Sequence, residues 1–420
     1  MQVFKFGGAS VKDASAVKNV AEIIKNFATK RLIVVVSAMG KTTNALEEIV
    51  HALKLQQKEH FYAALEEIST YHLAIIDALF ESKDTPIKQE ISNIIAEINQ
   101  NFGKSFSDNY DYEYDQIVSL GEILSTKIVA AYLQSIGFDV IWSDARRLIR
   151  TDSTYRNGNV DWDETKLLIV DYTKQHTNRI IITQGFIGHT SENLTTTLGR
   201  EGSDYTAAIF AYCTDAKDLT IWKDVPGMLN ADPKYFQNTI KLDQISYLEA
   251  IELAYYGASV IHPKTIKPLQ NKSIPLYVKS FISPTTEGTV IHESTENDDK
   301  IPSYIFKEKQ LLVSVMPKDF SFIVESSLQS IFEILTDEKI TVNLMQNSAV
   351  SFSFIVDAEK VEVKKLINRL STDFKARYNE DVELVTIRHY NPQIISEITK
   401  DKQQLMSQYD RQTLRIVLKK

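Results

Sequence analysis

An α/β sandwich around a largely parallel sheet, followed by a smaller ferredoxin-like unit, is the architecture this sequence predicts. Three observations point there. "RLIVVVSA", residues 31–38, is an uninterrupted apolar run, as in a central parallel strand covered on both faces. Strand-like segments alternate with segments of helical periodicity as far as residue 291, which implies a parallel sheet flanked by helices. After a polar stretch at 292–303, the order changes to strand, helix, two strands, helix, strand.

The elements follow from local pattern. "QVFKF" alternates, "GGAS" interrupts it, and "KDASAVKNVAEIIKNF" carries Val17, Val20, Ala21, Ile24 and Phe27 at helical spacing. Residues 45–116 are almost free of glycine and rich in Glu, Lys, Ala, Leu and Ile, so they read as helices inserted before the next strand. "FDVIWSDA", "RIIITQGFIG" and "DLTIWKDV" supply later strands, with helices near 122–136, 203–213 and 246–256. "HESTENDDKIPS" is charged and ends near a proline, which suits a linker at 292–303 between a domain at 1–291 and a region at 304–420. In that region "LLVSVM", "FIVESSLQSIFEIL", the hairpin "ITVNLMQ"/"VSFSFIVD", "AEKVEVKKLINRL" and "VELVTIR" read as βαββαβ. The remaining tail is long enough for a helix and one further strand.

Bulk properties narrow the classes. The 420 residues are 43% hydrophobic and 24% charged, ordinary for a globular chain with sizeable cores. A net charge of −8 argues against nucleic acid or an anionic membrane as the main partner. The single cysteine, Cys213, excludes an internal disulfide framework and suits a reducing compartment. "MQVFKFGG" lacks the charged-then-apolar order of a signal peptide, and no run reaches the roughly 18 apolar residues of a membrane span. A cytoplasmic protein is expected.

Several stretches could carry chemistry. "VVVSAMGKTTNAL" ends like a phosphate-binding P-loop, but Val35 stands where that loop needs a glycine to wrap phosphates in backbone N–H groups. "KFGGASV" places Lys5 at a strand end before two glycines, which either admit an anion to a helix N-terminus or simply make a tight turn. In "TTTLGREGSDYTAA", Gly199 and Gly202 bracket Arg200, which can grip a carboxylate with two parallel hydrogen bonds; Ser203 and Asp204 could equally be plain helix caps. "IWKDVPGMLNADPKYF" is a loop after a strand, where α/β folds place ligands, or an ordinary surface loop. Glu122 in "VSLGEILS" sits at a helix start, where acidic residues commonly serve the helix dipole. His262 in "YYGASVIHPKTIKPL" reads as structural. The eight histidines show no metal-ligand spacing with each other or with Cys213.

Taken in order, "KFGGAS", "VVSAMGKTTN", "SLGEILS", "TTTLGREGSDYTAA", "WKDVPGMLNADPK" and "YYGASVIHPKTIKPL" resemble the aspartate kinases of the amino-acid kinase superfamily. The resemblance is specific over residues 1–291 and looser beyond, where the chain looks like that family's regulatory ACT region. It implies an amino-acid kinase-like three-layer α/β/α sandwich, and transfer of the γ-phosphoryl group of ATP to the side-chain carboxylate of L-aspartate. Lys5 and Asp204 match the catalytic lysine and the aspartate that orients it. Ser37, Thr43, Glu122, Arg200, Gly202 and Ser203 fall where the family contacts the amino acid, Glu122 receiving its ammonium. Lys5, Gly7, Gly8, Ser10, Lys223, Asp224, Met228, Asp232 and Lys234 fall on the nucleotide side. Mg²⁺ is implied, held by phosphate oxygens and water, with no protein ligand assigned. The chemistry agrees: a carboxylate acceptor is already ionised at neutral pH, so the site needs positioning and positive charge and no general base.

There are departures. "KFGGAS" has Ala9 where the family usually carries threonine. Glu201 adds a carboxylate beside Arg200 and is expected to point away. Ser259 stands where many members carry lysine, and Lys234 replaces an arginine, losing bidentate geometry. The ACT region has one clear unit and a truncated second, which puts feedback by lysine or threonine in doubt while leaving pairing of chains into a homodimer or larger homo-oligomer in place. A relative acting on glutamate or an acetylated amino acid, and a catalytically dead amino-acid sensor, are the competing readings. Glu122 would lose its ammonium partner in the acetylated case, and intact Lys5, Arg200 and Asp204 argue against the dead sensor.

Overall fold

The computed structural model describes residues 1–419 except Lys30, Lys83, Gln237, Ser259, Val260 and Phe320. The chain divides into two compact units, one of Met1–Met228, Lys241–Ile251 and Val260–Thr295, the other of Leu229–Ile240, Glu252–Ser259 and Glu296–Lys420.

The first unit is built on ten strands: β1 (Gln2–Phe6), β2 (Leu32–Val36), β3 (Val140–Ser143), β4 (Ile180–Gln184), β5 (Ile187–His189), β6 (Thr195–Thr197), β7 (Asp218–Lys223), β8 (Gln244–Ser246), β9 (Leu276–Ser280) and β10 (Thr289–His292). Eight form one sheet in the order β3-β4-β2-β1-β7-β9-β10-β8, parallel throughout except for the β9/β10 pair. β5 and β6 form a separate antiparallel pair. The helices are α1 (Ala14–Phe27), α2 (Thr42–Lys54), α3 (Lys58–Leu79), α4 (Pro86–Asn99), α5 (Tyr110–Val118), α6 (Leu120–Ser135), α7 (Trp162–Gln175), α8 (Gly202–Cys213), α9 (Tyr247–Tyr256, whose residues from Glu252 on belong to the second unit) and α10 (Pro263–Gln270). α2 to α5 are the helices expected over 45–116. The stretch Tyr110–Ser135 is long and apolar enough to cross a membrane by composition, but 72% of its most apolar window is buried within the fold, as in a core helix.

β1 and β2 lie mid-sheet, and all five residues of "LIVVV" are buried, because helices cover both faces of a parallel sheet. Their register, Phe6 beside Val36 and Trp222, brings the chain exits after β1, β2 and β7 to one edge. Ligands bind at such carboxyl ends. Here Gly8 is required: a Cβ on it would lie 2.8 Å from the Ala38 carbonyl oxygen, and its own carbonyl accepts from the Gly40 N–H at 3.1 Å. "SAMGK" is therefore a turn that backs the Gly7-Gly8 turn, with Gly40 in the left-handed region at φ 54°. We expect Gly8→Ala to force these two turns apart and to cost about 1–3 kcal/mol of stability, as overpacking does, read by denaturant unfolding.

The second unit carries β11 (Ser303–Pro317), α11 (Glu325–Asp337), β12 (Val342–Asn347), β13 (Phe352–Asp357), α12 (Val363–Leu370), β14 (Phe374–Arg388), α13 (Pro392–Thr399), β15 (Gln403–Tyr409) and β16 (Thr413–Lys419). They make one antiparallel sheet, ordered β12-β13-β11-β14-β16-β15. β11 and β14 are long strands whose register shifts between Lys307 and Leu312, so each serves two halves. In the first half, Leu312–Pro317 pairs with Phe374–Asn379, and α11 and α12 cover Leu311, Val313 and Phe354 with Ile331, Leu335 and Leu366. In the second, Ser303–Lys307 pairs with Leu384–Arg388, followed by β16 and β15, and α13 covers Val385, Ile387 and Ile416.

Two expectations need correction. "VELVTIR" belongs mainly to the second half, because β14 begins eight residues earlier than read. The tail forms a helix and two strands, since polar "QQLMSQY" is an edge strand with little apolar signal. The second half thus has a single helix, with β15 and β16 as its own strands beside the shared β11 and β14.

Candidate active site

Lys5, on the central strand, reaches Asp204 on the first turn of α8 at 2.7 Å. Lys223, at the end of β7, lies 3.4 Å from the other carboxylate oxygen. Burial alone would raise the Asp204 pKa, but the Lys5 and Lys223 ammonium groups outweigh it and hold the carboxyl below its ordinary value. Two cations converge on one buried anion at the edge where the strands end. Such a cluster fits a polyphosphate, whose negative charge it would neutralise.

The Gly7-Gly8 turn leads into a short 3₁₀ segment, Gly8–Val11, and the Ser10 N–H donates to the Gly7 carbonyl at 2.9 Å. The buried Ser10 hydroxyl donates to the Trp222 carbonyl at 3.4 Å, tying this turn to β7.

A cavity of about 440 Å³ opens beside the lysines. Lys5, Ser37, Thr43, Glu122, Arg200, Gly202, Ser203, Asp204 and Lys223 all line it. Glu122 is buried on the first turn of α6. The Ala38 N–H donates to Oε1 at 3.4 Å, while Oε2 is buried with no hydrogen-bond partner. Burial pushes this carboxyl up to about 8. A buried carboxyl with a free oxygen facing a cavity is suited to a cationic or hydrogen-donating group of a ligand.

Glu201 lines the cavity as well, against the expectation that it points away. Its backbone is left-handed, φ 54°, where the chain enters α8, and its Oε2 is buried without a hydrogen-bond partner. Sequence reading missed Tyr114, Arg156, Phe186 and Thr197, which complete the lining together with Gly199. It also missed Asp115 behind them, which accepts from the Arg156 N–H (2.9 Å), the Thr197 N–H (2.9 Å) and the Thr197 hydroxyl (2.7 Å). Burial pushes the Asp115 carboxyl up to about 6 against those hydrogen bonds. Nothing in the polar helix pattern of "YDYEYDQIV" signals that this aspartate is buried.

Other anticipated residues stand elsewhere. Asp224 is exposed beyond β7, and Met228 is buried, its N–H donating to the Thr289 hydroxyl at 2.8 Å. Asp232 and Lys234 belong to the second unit, where Asp232 accepts from the Lys234 N–H at 2.8 Å and Lys234 lies 3.6 Å from Glu308. Ser259 lies outside the described residues. His262 caps α10 by accepting from the Lys264 N–H. Cys213 is buried, which pushes its thiol up to about 12. Among the described residues no group of three His, Cys, Asp or Glu side chains is placed to hold a metal ion.

Comparison with known proteins places this geometry. Residues 1–280 match the sequence model of the amino acid kinase family. The chain is 30% identical over 393 residues to lysine-sensitive aspartokinase 3 of Escherichia coli, covering 92% of this chain and 86% of that protein. It is 28% identical to the chloroplastic bifunctional aspartokinase/homoserine dehydrogenase 1 of Arabidopsis thaliana, but spans only 42% of its length. The crystal structure of E. coli aspartokinase III in complex with aspartate and ADP superimposes with a TM-score of 0.81 at 27% identity, covering 100% of this chain and 96% of that one. The chain belongs to the amino acid kinase family, among its aspartokinases.

Proposed function

We propose that this chain is an aspartate kinase, transferring the γ-phosphoryl group of ATP to the β-carboxylate of L-aspartate to give 4-phospho-L-aspartate, the first step towards lysine, threonine and methionine. One observation carries the reading: a buried glutamate with an unpartnered oxygen, Glu122, shares a cavity with the Lys5–Asp204–Lys223 cluster. The first selects an amino group and the second a phosphoryl group. The aspartate and ADP bound to the E. coli relative support the same pair of substrates.

Each residue then has a task. Glu122 takes the substrate ammonium, Arg200 the α-carboxylate, and Ser37, Thr43, Gly202 and Ser203 shape the slot. The β-carboxylate attacks as an anion, so no side chain has to remove a proton. Lys5 and Lys223 stabilise the charge that builds on the transferring group, and Asp204 keeps them in place. Gly7, Gly8 and Ser10 form the turn on which phosphates rest, and Asp224, Met228, Asp232 and Lys234 are assigned to nucleotide binding on the resemblance alone. Mg²⁺, when bound, would neutralise phosphate charge, and no side chain of this chain is assigned to it. We read the compartment as the cytoplasm and the second unit as the place where chains pair into a homo-oligomer.

The test is ATP turnover with L-aspartate and Mg²⁺, trapping the acyl phosphate with hydroxylamine. Aspartate-dependent hydroxamate supports the kinase. Its absence with aspartate but presence with glutamate would move the acceptor by one methylene, and its absence with both would favour the sensor. Arg200→Ala should raise KM for aspartate about 10–100-fold, the loss of a charge-assisted carboxylate grip, while KM for ATP stays within about twofold. Equal rises in both would sink the clamp assignment.

A further inference from the structure

We infer that Arg156 is a second arginine for the substrate, a specificity-determining residue that holds the α-carboxylate of L-aspartate together with Arg200. The inference rests on the aspartate kinase reading and adds a residue that none of the sequence motifs contains.

The backbone is the first observation. Arg156 has φ 62°, in the left-handed region that costs a side-chain-bearing residue strain and favours glycine. Residues kept there gather at ligand clamps, where the surroundings over-determine the conformation. The buried carboxylate of Asp115 does this by accepting the Arg156 N–H at 2.9 Å while also holding Thr197 at the end of β6. The same turn packs on Gly199, where a Cβ would lie 3.3 Å from the Arg156 carbonyl oxygen and 2.8 Å from Asn157 Oδ1. Gly199 precedes Arg200, so one structural joint sets both arginines.

The side chain is the second observation. The guanidinium lies over the Tyr114 ring, 4.2 Å from its centroid, and the Tyr114 hydroxyl donates to Glu47 at 2.6 Å, which fixes the ring. Asp111 is a loose partner, at 3.4 Å with both side chains about half exposed (46% and 54%), so it does not saturate five donors. Both Tyr114 and Arg156 line the substrate cavity. They also line a neighbouring cleft of about 780 Å³ between α2, α3 and α5, in which Lys5, Asp204 and Lys223 take no part. Arg156 therefore stands at the end of the cavity away from the phosphoryl cluster. The β-carboxylate must face Lys5 to be phosphorylated, which leaves the α-carboxylate for this end. A guanidinium held over an aromatic ring offers its N–H donors to a carboxylate with little rotamer freedom left to lose.

Arg156→Gly is the test, because glycine relaxes the left-handed backbone and should leave the thermal midpoint at or above that of the wild type. The expected result is a KM for L-aspartate raised about 10-fold, with KM for ATP within about twofold. Isoasparagine, in which the α-carboxylate is an amide, supplies the readout that a merely structural role would not move. In the wild type it should be a much poorer acceptor than aspartate, and in Arg156→Gly that gap should shrink by about the same factor. Arg156→Lys, which keeps charge but not the fork, should fall between the two. An unchanged KM for aspartate, an unchanged gap, or an equal rise in KM for ATP in an enzyme active on aspartate overturns the role of Arg156 alone. A wild type that makes no hydroxamate from aspartate overturns the kinase reading and this inference with it.

Discussion

Lys5→Met should lower kcat about 10²–10³-fold, the usual effect of removing one preorganised donor from a transition state that builds negative charge, while KM for aspartate changes little. Lys5 is held on the most central pair of strands, its side chain 9% exposed, by a carboxylate 2.7 Å away. Little conformational search is left for it when phosphoryl transfer begins, so its charge is already in place. The variant should still fold. Methionine keeps the aliphatic stem, and Asp204 retains Lys223 at 3.4 Å, so the buried carboxylate is not abandoned. The acid limb of stability gives a second readout. Asp204 has a folded pKa below its ordinary value, so its contribution is present at neutral pH and is lost as pH falls through the folded value. With one ammonium gone that depression shrinks, and the variant should lose stability at a higher pH than the wild type. Calorimetry at neutral and acid pH beside steady-state kinetics would check both. A kcat within about threefold of wild type would remove Lys5 from the chemistry.

Much of this site was legible in sequence because its parts are local. The Gly7-Gly8 turn, the Gly40 turn that backs it and the Arg200–Asp204 entry to α8 each follow a strand within a few residues, and strand ends are where an α/β sheet gathers ligands. What escaped depends on contacts distant in sequence. Asp115 meets Thr197 across 82 positions and the Arg156 N–H across 41, and nothing in "YDYEYDQIV" or "DSTYRNGN" announces the other. The left-handed backbone at Arg156 and Glu201 is equally silent, since neither is a glycine or asparagine. In the second unit, two 15-residue strands serve two halves through a register shift, and a pattern of short alternations reads such a strand as two unrelated ones. β15 went unread because most of its side chains face solvent at a sheet edge, where burial imposes no alternation.

Glu122 should make aspartate binding a proton-releasing event. In the free protein, burial pushes its carboxyl up to about 8, so at neutral pH most molecules carry it as the neutral acid. The substrate ammonium can pair only with the anion, and forming that pair expels the proton. KM for aspartate should therefore fall about tenfold per pH unit as pH rises towards 8 and level off above it, the limiting slope for one linked proton. The stability of the free protein should run the other way. The folded state keeps this proton between the ordinary value of 4.5 and about 8 while the unfolded chain gives it up, so this group's contribution declines as pH rises through that window. Glu122→Gln separates the two effects, because the amide keeps the shape of the acid and carries no charge to bury. It should be at least as stable as the wild type above pH 8, should bind aspartate about 10–100-fold more weakly there for want of a charged partner, and should show a flat KM profile. Buffers of different ionisation enthalpy would detect the released proton directly in a calorimetric titration with aspartate. A wild-type titration that releases no proton at pH 7, or a glutamine variant that keeps the sloping profile, would assign the ammonium to another group. Glu201, whose Oε2 is likewise buried without a hydrogen-bond partner and which lines the same cavity, would then be the one to replace.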